Sequence, residues 1–250
     1  MNLAFSIRFF IKWKHQNILA NISGKCSVVL RKTSLIDYPG LISSVIFFPG
    51  CNMRCPWCHN RELVLGNTAN TDFISLEDAM AHIKKRRNVL GGVVLSGGEP
   101  ALYQDLGFLI KQLKLFGLKV KLDTNGLLPD ILKLLLDSEE TRPDYIALDL
   151  KTSPERYREL LPGKNATSCT TAEKTNNPGE AIIKSITIIR SSGIAHEFRS
   201  LTLPLPPNKE QKPFFEEDDK AVLAALVGDS QWNIRPFVPG NCIDPAWDAL

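Results

Sequence analysis

An α/β fold, built as an incomplete, TIM-like (β/α)6 barrel on a parallel sheet, is what this sequence predicts, and three observations predict it. From Leu35 onward, short apolar runs rich in branched residues alternate with stretches of helical period. Single helices between successive strands imply parallel pairing through right-handed crossovers. A closed eight-unit barrel takes roughly 250 residues, about 31 per unit. The stretch from Leu35 to Leu250 therefore suits roughly six or seven units, with a doubly wound open sheet as the second choice.

Each element follows in order. Ser44–Phe48 reads as the first strand, then Val93–Ser96, Val120–Asp123, Tyr145–Leu150, Ala195–Leu203 and Trp232–Phe237. Between them, Leu76–Leu90, Tyr103–Phe116, Leu128–Asp137, Glu180–Ser191 and Glu216–Val227 carry helical spacing. Ser75 is placed to cap the first helix, with Asp78 three residues on. Lys164–Gly179, polar and ending Asn176-Asn177-Pro178-Gly179, reads as a long loop. Pro204, Pro206, Pro207 and Pro213 mark another irregular connection. No internal repeat is visible.

Composition limits the possible functions. The chain has 250 residues, 44% hydrophobic and 23% charged, which is ordinary globular composition for one large domain or at most two. No run of about eighteen apolar residues exists, so no membrane span is expected. A net charge of +3 is too small to imply a nucleic-acid partner. The charge is uneven: Arg8, Lys12, Lys14, Lys25, Arg31 and Lys32 precede Ile36 without one acid, and the remainder is slightly acidic. The cysteines are Cys26, Cys51, Cys55, Cys58, Cys169 and Cys242. In a chain this long, with no convincing secretory signal, they point to a reducing, cytoplasmic setting and not to a disulfide framework.

The chemistry begins at the end of the first strand. Phe48-Pro49-Gly50-Cys51-Asn52-Met53-Arg54-Cys55-Pro56-Trp57-Cys58-His59-Asn60 gives the spacing C-x3-C-x2-C. Soft thiolates select zinc, copper(I) or an iron–sulfur cluster. Three cysteines without a near fourth leave one iron of a cubane open to a substrate. Zinc could recruit His59 as a fourth ligand, although adjacent Cys58 and His59 rarely reach one ion. Three buried core cysteines are the bland reading, and a Gly/Pro/Asn loop suits it poorly. Gly97 and Gly98, at the end of the second strand, would let a ligand lie against bare backbone. Asp123 and Asn125 share a face two residues apart, as do Asp149 and Lys151. In a parallel barrel these strand ends meet at one rim. The bland alternative there is a solvated rim with a surface ion pair worth little.

With Trp57 just before its last cysteine, the loop resembles the radical S-adenosylmethionine superfamily, and Ser96-Gly97-Gly98-Glu99-Pro100 supplies a second mark. More narrowly, Lys32-Thr33-Ser34-Leu35-Ile36-Asp37-Tyr38-Pro39-Gly40, Cys58-His59-Asn60, Lys121-Leu122-Asp123-Thr124-Asn125-Gly126 and Asp149-Leu150-Lys151 resemble anaerobic ribonucleoside-triphosphate reductase-activating proteins. Other glycyl-radical-enzyme activases share the last two blocks. The resemblance implies a 4Fe-4S cluster on Cys51, Cys55 and Cys58, with S-adenosylmethionine beside Trp57, Gly97, Gly98 and Glu99. It implies that Glu99 accepts from the cofactor amino group and Lys151 pairs with its carboxylate, with Arg199 a further contact. Asp123, Thr124, Asn125 and Asp149 would shape the polar site beside them, around a monovalent cation. The expected domain is 26–250.

Further implications concern the reaction. A flavodoxin- or ferredoxin-type donor would reduce the cluster, and S-adenosylmethionine would yield methionine and a 5′-deoxyadenosyl radical. That radical would abstract hydrogen from a glycine of the anaerobic reductase. Activation of another glycyl-radical enzyme, modification of a small molecule, and a non-catalytic zinc- or cluster-binding interaction module stay open. His15, His82 and His196 show no context for a general base. Cys26, Cys169 and Cys242 read as structural or incidental. Residues 1–25 are an extension to which no role is assigned. Phe5, Ile7, Phe9, Ile11 and Trp13 alternate there with polar residues, favouring a strand over a basic amphipathic helix.

Overall fold

Six strands run parallel and two antiparallel strands flank them, in a computed structural model describing residues 26–66, 71–163, 177–208 and 213–250. The elements are β1 (Ser27–Ser34), β2 (Ser43–Phe48), α1 (Arg61–Leu65), β3 (Phe73–Ser75), α2 (Leu76–Arg86), β4 (Gly92–Gly97) and α3 (Leu106–Leu115). They continue as β5 (Lys119–Thr124), α4 (Pro129–Leu136), β6 (Tyr145–Asp149), α5 (Pro178–Ser191), β7 (Ala195–Thr202), α6 (Glu217–Val227) and β8 (Trp232–Pro236). Sheet order is β3-β1-β2-β4-β5-β6-β7-β8, with β2 and β4 through β8 parallel. The expected incomplete (β/α)6 barrel is therefore present, and β1 and β3 extend it by antiparallel pairing.

Local chemistry explains the helices and corrects several boundaries. The Ser75 hydroxyl accepts from Asp78 N at 3.0 Å and caps α2 as expected. Lys84, Lys85 and Arg86 close its last turn, where cations suit the helix dipole, and the helix stops there short of Leu90. The third helix begins at Leu106 and not Tyr103, because Pro100–Leu102 forms a separate 3-10 turn. Asn177, placed in the predicted loop, caps α5 by accepting from Glu180 N at 3.3 Å, and Pro178 opens that helix. Residues 1–25, Cys169 and the rest of that loop lie outside the described residues.

Alternation along each strand separates two faces. Ile46, Leu95, Leu122, Ile146, Leu148 and Phe198 are at most 2% exposed and belong to the main core, with Met80 and Ile83 of α2, Ile110 of α3 and Ile186 of α5. Each such side chain contributes about 2 kcal/mol by leaving water. On the other face Val45, Val94 and Tyr38 form a small apolar floor, flanked by Phe47 and Tyr145. Above that floor the register aligns Ser96 beside Asp123 and pairs Ala147 with Glu197 and Asp149 with Arg199. A mostly polar lining thus leads from the floor to the ends of the parallel strands.

Candidate active site

The C-x3-C-x2-C loop leaves β2 at its C-terminal end and is held from several sides. Gly98 N donates to Phe48 O at 2.8 Å and Glu99 N to Gly50 O at 2.9 Å. Gly98 sits so close that an added Cβ would lie 1.8 Å from Gly50 O. Arg54 Nη1 donates to Cys51 O and Met53 O, both at 2.8 Å, and its backbone N donates to Leu160 O at 2.7 Å. Ile243 N reaches Cys58 O at 3.1 Å, and Asp244 N reaches Pro56 O at 3.0 Å. Trp57 turns into the core, 3% exposed, with ring centres 4.7 Å from Phe214 and 5.4 Å from Trp247. In the structure this ring anchors the loop from beneath.

The three cysteines lie on one tight loop, in which Cys58 N donates to Cys55 O at 3.1 Å. Burial pushes all three up; Cys55 reaches about 12 even though Lys151 favours its thiolate. Met53 N donates to Cys51 Sγ at 3.4 Å, and Asn125 Nδ2 lies 3.7 Å from the same sulfur. Asn125 Nδ2 also donates to Asn52 Oδ1 at 2.7 Å. Asn52 itself is 1% exposed, and its own Nδ2 has no partner among the described residues. Among the described residues, no three His, Cys, Asp or Glu side chains converge tightly enough to hold a single metal ion.

Glu99 is turned inward, 1% exposed, and accepts from Ala101 N at 3.0 Å, Thr124 Oγ1 at 2.8 Å and Asn125 N at 2.7 Å. It braces the end of β4 against the end of β5. Burial pushes its carboxyl up to about 7, against the pull of those three hydrogen bonds. A folded value above the unfolded 4.5 means the folded protein holds the extra proton, so this contribution is full below about pH 4.5 and lost as pH rises through about 7. The loss amounts to about 3 kcal/mol. The stability of wild type minus that of Glu99→Gln, from urea titrations, should fall by that amount between about pH 4 and about pH 8. A flat difference would show an ordinary carboxylate.

Asp123, Asp149, Lys151 and Arg199 meet at the rim, whereas Asn125 turns to Asn52 and Cys51. Arg199 Nε donates to Asp149 Oδ1 at 2.7 Å, and Lys151 Nζ donates to Asp149 Oδ2 at 3.0 Å. Burial alone would raise the Asp149 carboxyl, but Arg199 and Lys151 overcome it and hold the group well below the usual range. Lys151 N also donates to the hydroxyl of buried Tyr157 at 3.0 Å. Ser96 Oγ donates to Asp123 Oδ2 at 3.1 Å. Sequence reasoning assigned no role to Lys121, whose Nζ lies 2.8 Å from Asp123 Oδ1, nor to Asn52 and Tyr157. Lys121 shares a face of β5 with exposed Lys119, so nothing in the pattern distinguishes the buried lysine from the solvated one.

Known proteins resemble this chain in sequence and in fold. Residues 45–214 match the sequence profile described as the Radical SAM superfamily. Over 226 residues the chain is 30% identical to the Methanocaldococcus jannaschii protein MJ1227, provisionally assigned as a glycyl-radical enzyme activating enzyme; 87% of this chain and 82% of that protein are covered. It is 35% identical over 137 residues to pyruvate formate-lyase 1-activating enzyme of Escherichia coli strain K12, a match spanning 51% of this chain and 52% of that enzyme. The solved structure of TYW1 with a lysine-pyruvate adduct bound shares the fold, with a TM-score of 0.55 at 17% identity, over 96% of this chain and 83% of that one.

Proposed function

The chain belongs to the radical SAM superfamily, and from that premise we propose that it is a glycyl-radical-enzyme activase holding a 4Fe-4S cluster on Cys51, Cys55 and Cys58. The observation that carries the proposal is the placing of three cysteines on one tight loop at the end of the first parallel strand, against bare backbone at Gly98 and beside a cationic rim. Such a cluster, when bound, supplies the electron that splits S-adenosylmethionine into methionine and a 5′-deoxyadenosyl radical.

The residues present fit that group. Three thiolates serving separate corners of a cubane need not converge on one point, whereas a tetrahedral zinc requires it. The unpartnered Asn52 Nδ2, buried next to Cys51, offers a donor to a sulfur-rich acceptor. Because burial favours the protonated thiols, loading would release protons and be favoured as pH rises.

The chain's own residues bind, orient and exclude water. Lys151, which donates to Asp149, would hold the cofactor carboxylate, and Arg199 fixes the Asp149 side chain in place. Gly97 and Gly98 keep the end of β4 flat against the loop, and Glu99 fixes Thr124 and Asn125 beneath it. Trp57 seals the far side of the loop with Phe214 and Trp247. No side-chain base is required, because the transferred particle is a hydrogen atom.

The target we propose is the anaerobic ribonucleoside-triphosphate reductase, in the cytoplasm, with a flavodoxin- or ferredoxin-type donor; the Lys32–Gly40 block supports that choice over other glycyl-radical enzymes. The test reduces anaerobically reconstituted protein with S-adenosylmethionine and either the reductase or pyruvate formate-lyase. Methionine release together with a glycyl doublet in the electron paramagnetic resonance spectrum of the reductase is expected. A doublet on pyruvate formate-lyase alone reassigns the target. Stoichiometric zinc without methionine removes the enzyme reading.

A further inference from the structure

Lys121 is a buried cation that the proposed chemistry leaves without a task. Its side chain is 3% exposed, and its Nζ lies 2.8 Å from Asp123 Oδ1. That contact is an ion pair without hydrogen-bond geometry; the ammonium donates its hydrogen bond to Asp37 O at 2.8 Å, and it stands 5.9 Å from the centre of the Tyr145 ring. A carboxylate oxygen, a backbone carbonyl and an aromatic face are the partners that a desolvated monovalent cation takes. Here the chain's own ammonium fills the place.

Charges alternate outward from this point to the rim. Asp123 Oδ2 is 3.6 Å from Arg199 Nη1, Arg199 Nε is 2.7 Å from Asp149 Oδ1, and Lys151 Nζ is 3.0 Å from Asp149 Oδ2. The series Lys121, Asp123, Arg199, Asp149, Lys151 has a cation at each end and so carries one surplus positive charge, which Glu197, acting on Arg199 from the same face of β7, offsets only from the side away from Lys151. A ligand carboxylate arriving at Lys151 meets that surplus. Without Lys121 the series is neutral, Arg199 is drawn toward Asp123, and Asp149 holds Lys151 more tightly.

We propose that Lys121 is a built-in counter-cation for Asp123, taking the place of a bound monovalent metal ion and setting the Asp123–Arg199–Asp149–Lys151 series for carboxylate binding. Lys121 is thus a positioning residue, acting through Asp123 and Arg199. The inference rests on the cofactor site proposed above for its binding arm, and on the ion pair alone for its stability arm.

The experiment uses cluster-loaded protein in potassium chloride or tetramethylammonium chloride at equal ionic strength. Melting temperature and S-adenosylmethionine affinity are the readouts. Wild type should give the same values in both salts. Lys121→Met should melt about 10 °C lower in tetramethylammonium and bind S-adenosylmethionine about tenfold more weakly. Potassium should restore part of both, because it enters the vacated cage, and Lys121→Arg should behave as wild type. A potassium response in wild type overturns the inference, since a metal ion would then have its own place beside Lys121. So does a Lys121→Met protein indifferent to both salts with wild-type values. If Lys121→Met fails to fold, Lys121→Gln is read in the same way, and the wild-type arm decides independently. Failure of wild type to bind S-adenosylmethionine in either salt removes the cofactor site and leaves the melting comparison standing.

Discussion

Cys55→Ala should purify as a folded protein that retains almost no iron and releases methionine more than about 100-fold more slowly than wild type. The side chain is 7% exposed and small, so losing its sulfur costs about 1 kcal/mol of packing and moves the cluster-free melting temperature by only a few degrees. Loss of iron with retention of fold separates a ligand from a core cysteine. Cys242→Ala is the control, because Cys242 is also buried yet lies outside the C-x3-C-x2-C spacing. It should keep its iron and its broad absorbance near 400 nm. Should Cys55→Ala load iron normally, or Cys242→Ala lose it, the ligand set is wrongly drawn.

Gly98→Ala adds one methyl group and should be nearly as damaging, for a steric reason. The new Cβ would stand 1.8 Å from Gly50 O and 2.6 Å from its carbonyl carbon, and both atoms are backbone. No flexible side chain can yield, so either β4 or the start of the cysteine loop must move, and Cys51 follows directly on Gly50. Overpacking of this kind costs roughly 3 kcal/mol, or roughly 10 °C in melting temperature for a chain of this size. Iron content should fall together with stability. Gly163→Ala, where a Cβ meets nothing within 4 Å, should change neither. Full iron content in Gly98→Ala would mean that the loop has more room than these contacts allow.

The parallel sheet was readable because its central strands are continuous apolar runs buried on both sides, as in Val93-Val94-Leu95, all 0% exposed. The antiparallel additions were not. β1 carries Arg31 and Lys32 into solvent and precedes the stretch where alternation with helices begins, while β3 has only three residues. Of the site, the thiol spacing and the Gly97-Gly98 pair announce themselves locally, since a ligand loop and a bare strand end need particular residues at fixed offsets. The direction of a side chain does not announce itself. Glu99 was expected to face a ligand, and in the structure it points inward to Thr124 and Asn125. Lys121 is buried by Asp37, Asp123 and Tyr145, which come from three separate segments. The partners of Trp57, Phe214 and Trp247, are similarly remote along the chain.

The bonds that hold the cysteine loop come from residues 98–99, 160 and 243–244, so they bear on the order in which the molecule is made. Loop closures over such spans are slow and come late, because their entropy must be met before the contact forms. The bonds that hold the three-cysteine loop are therefore complete only once residues 243–244 have docked. Cluster loading is then expected to follow folding, in contrast to a zinc finger, whose ion drives its folding. Expression conditions that let the apoprotein mature before iron and sulfide are supplied should therefore give the highest yield of loaded protein.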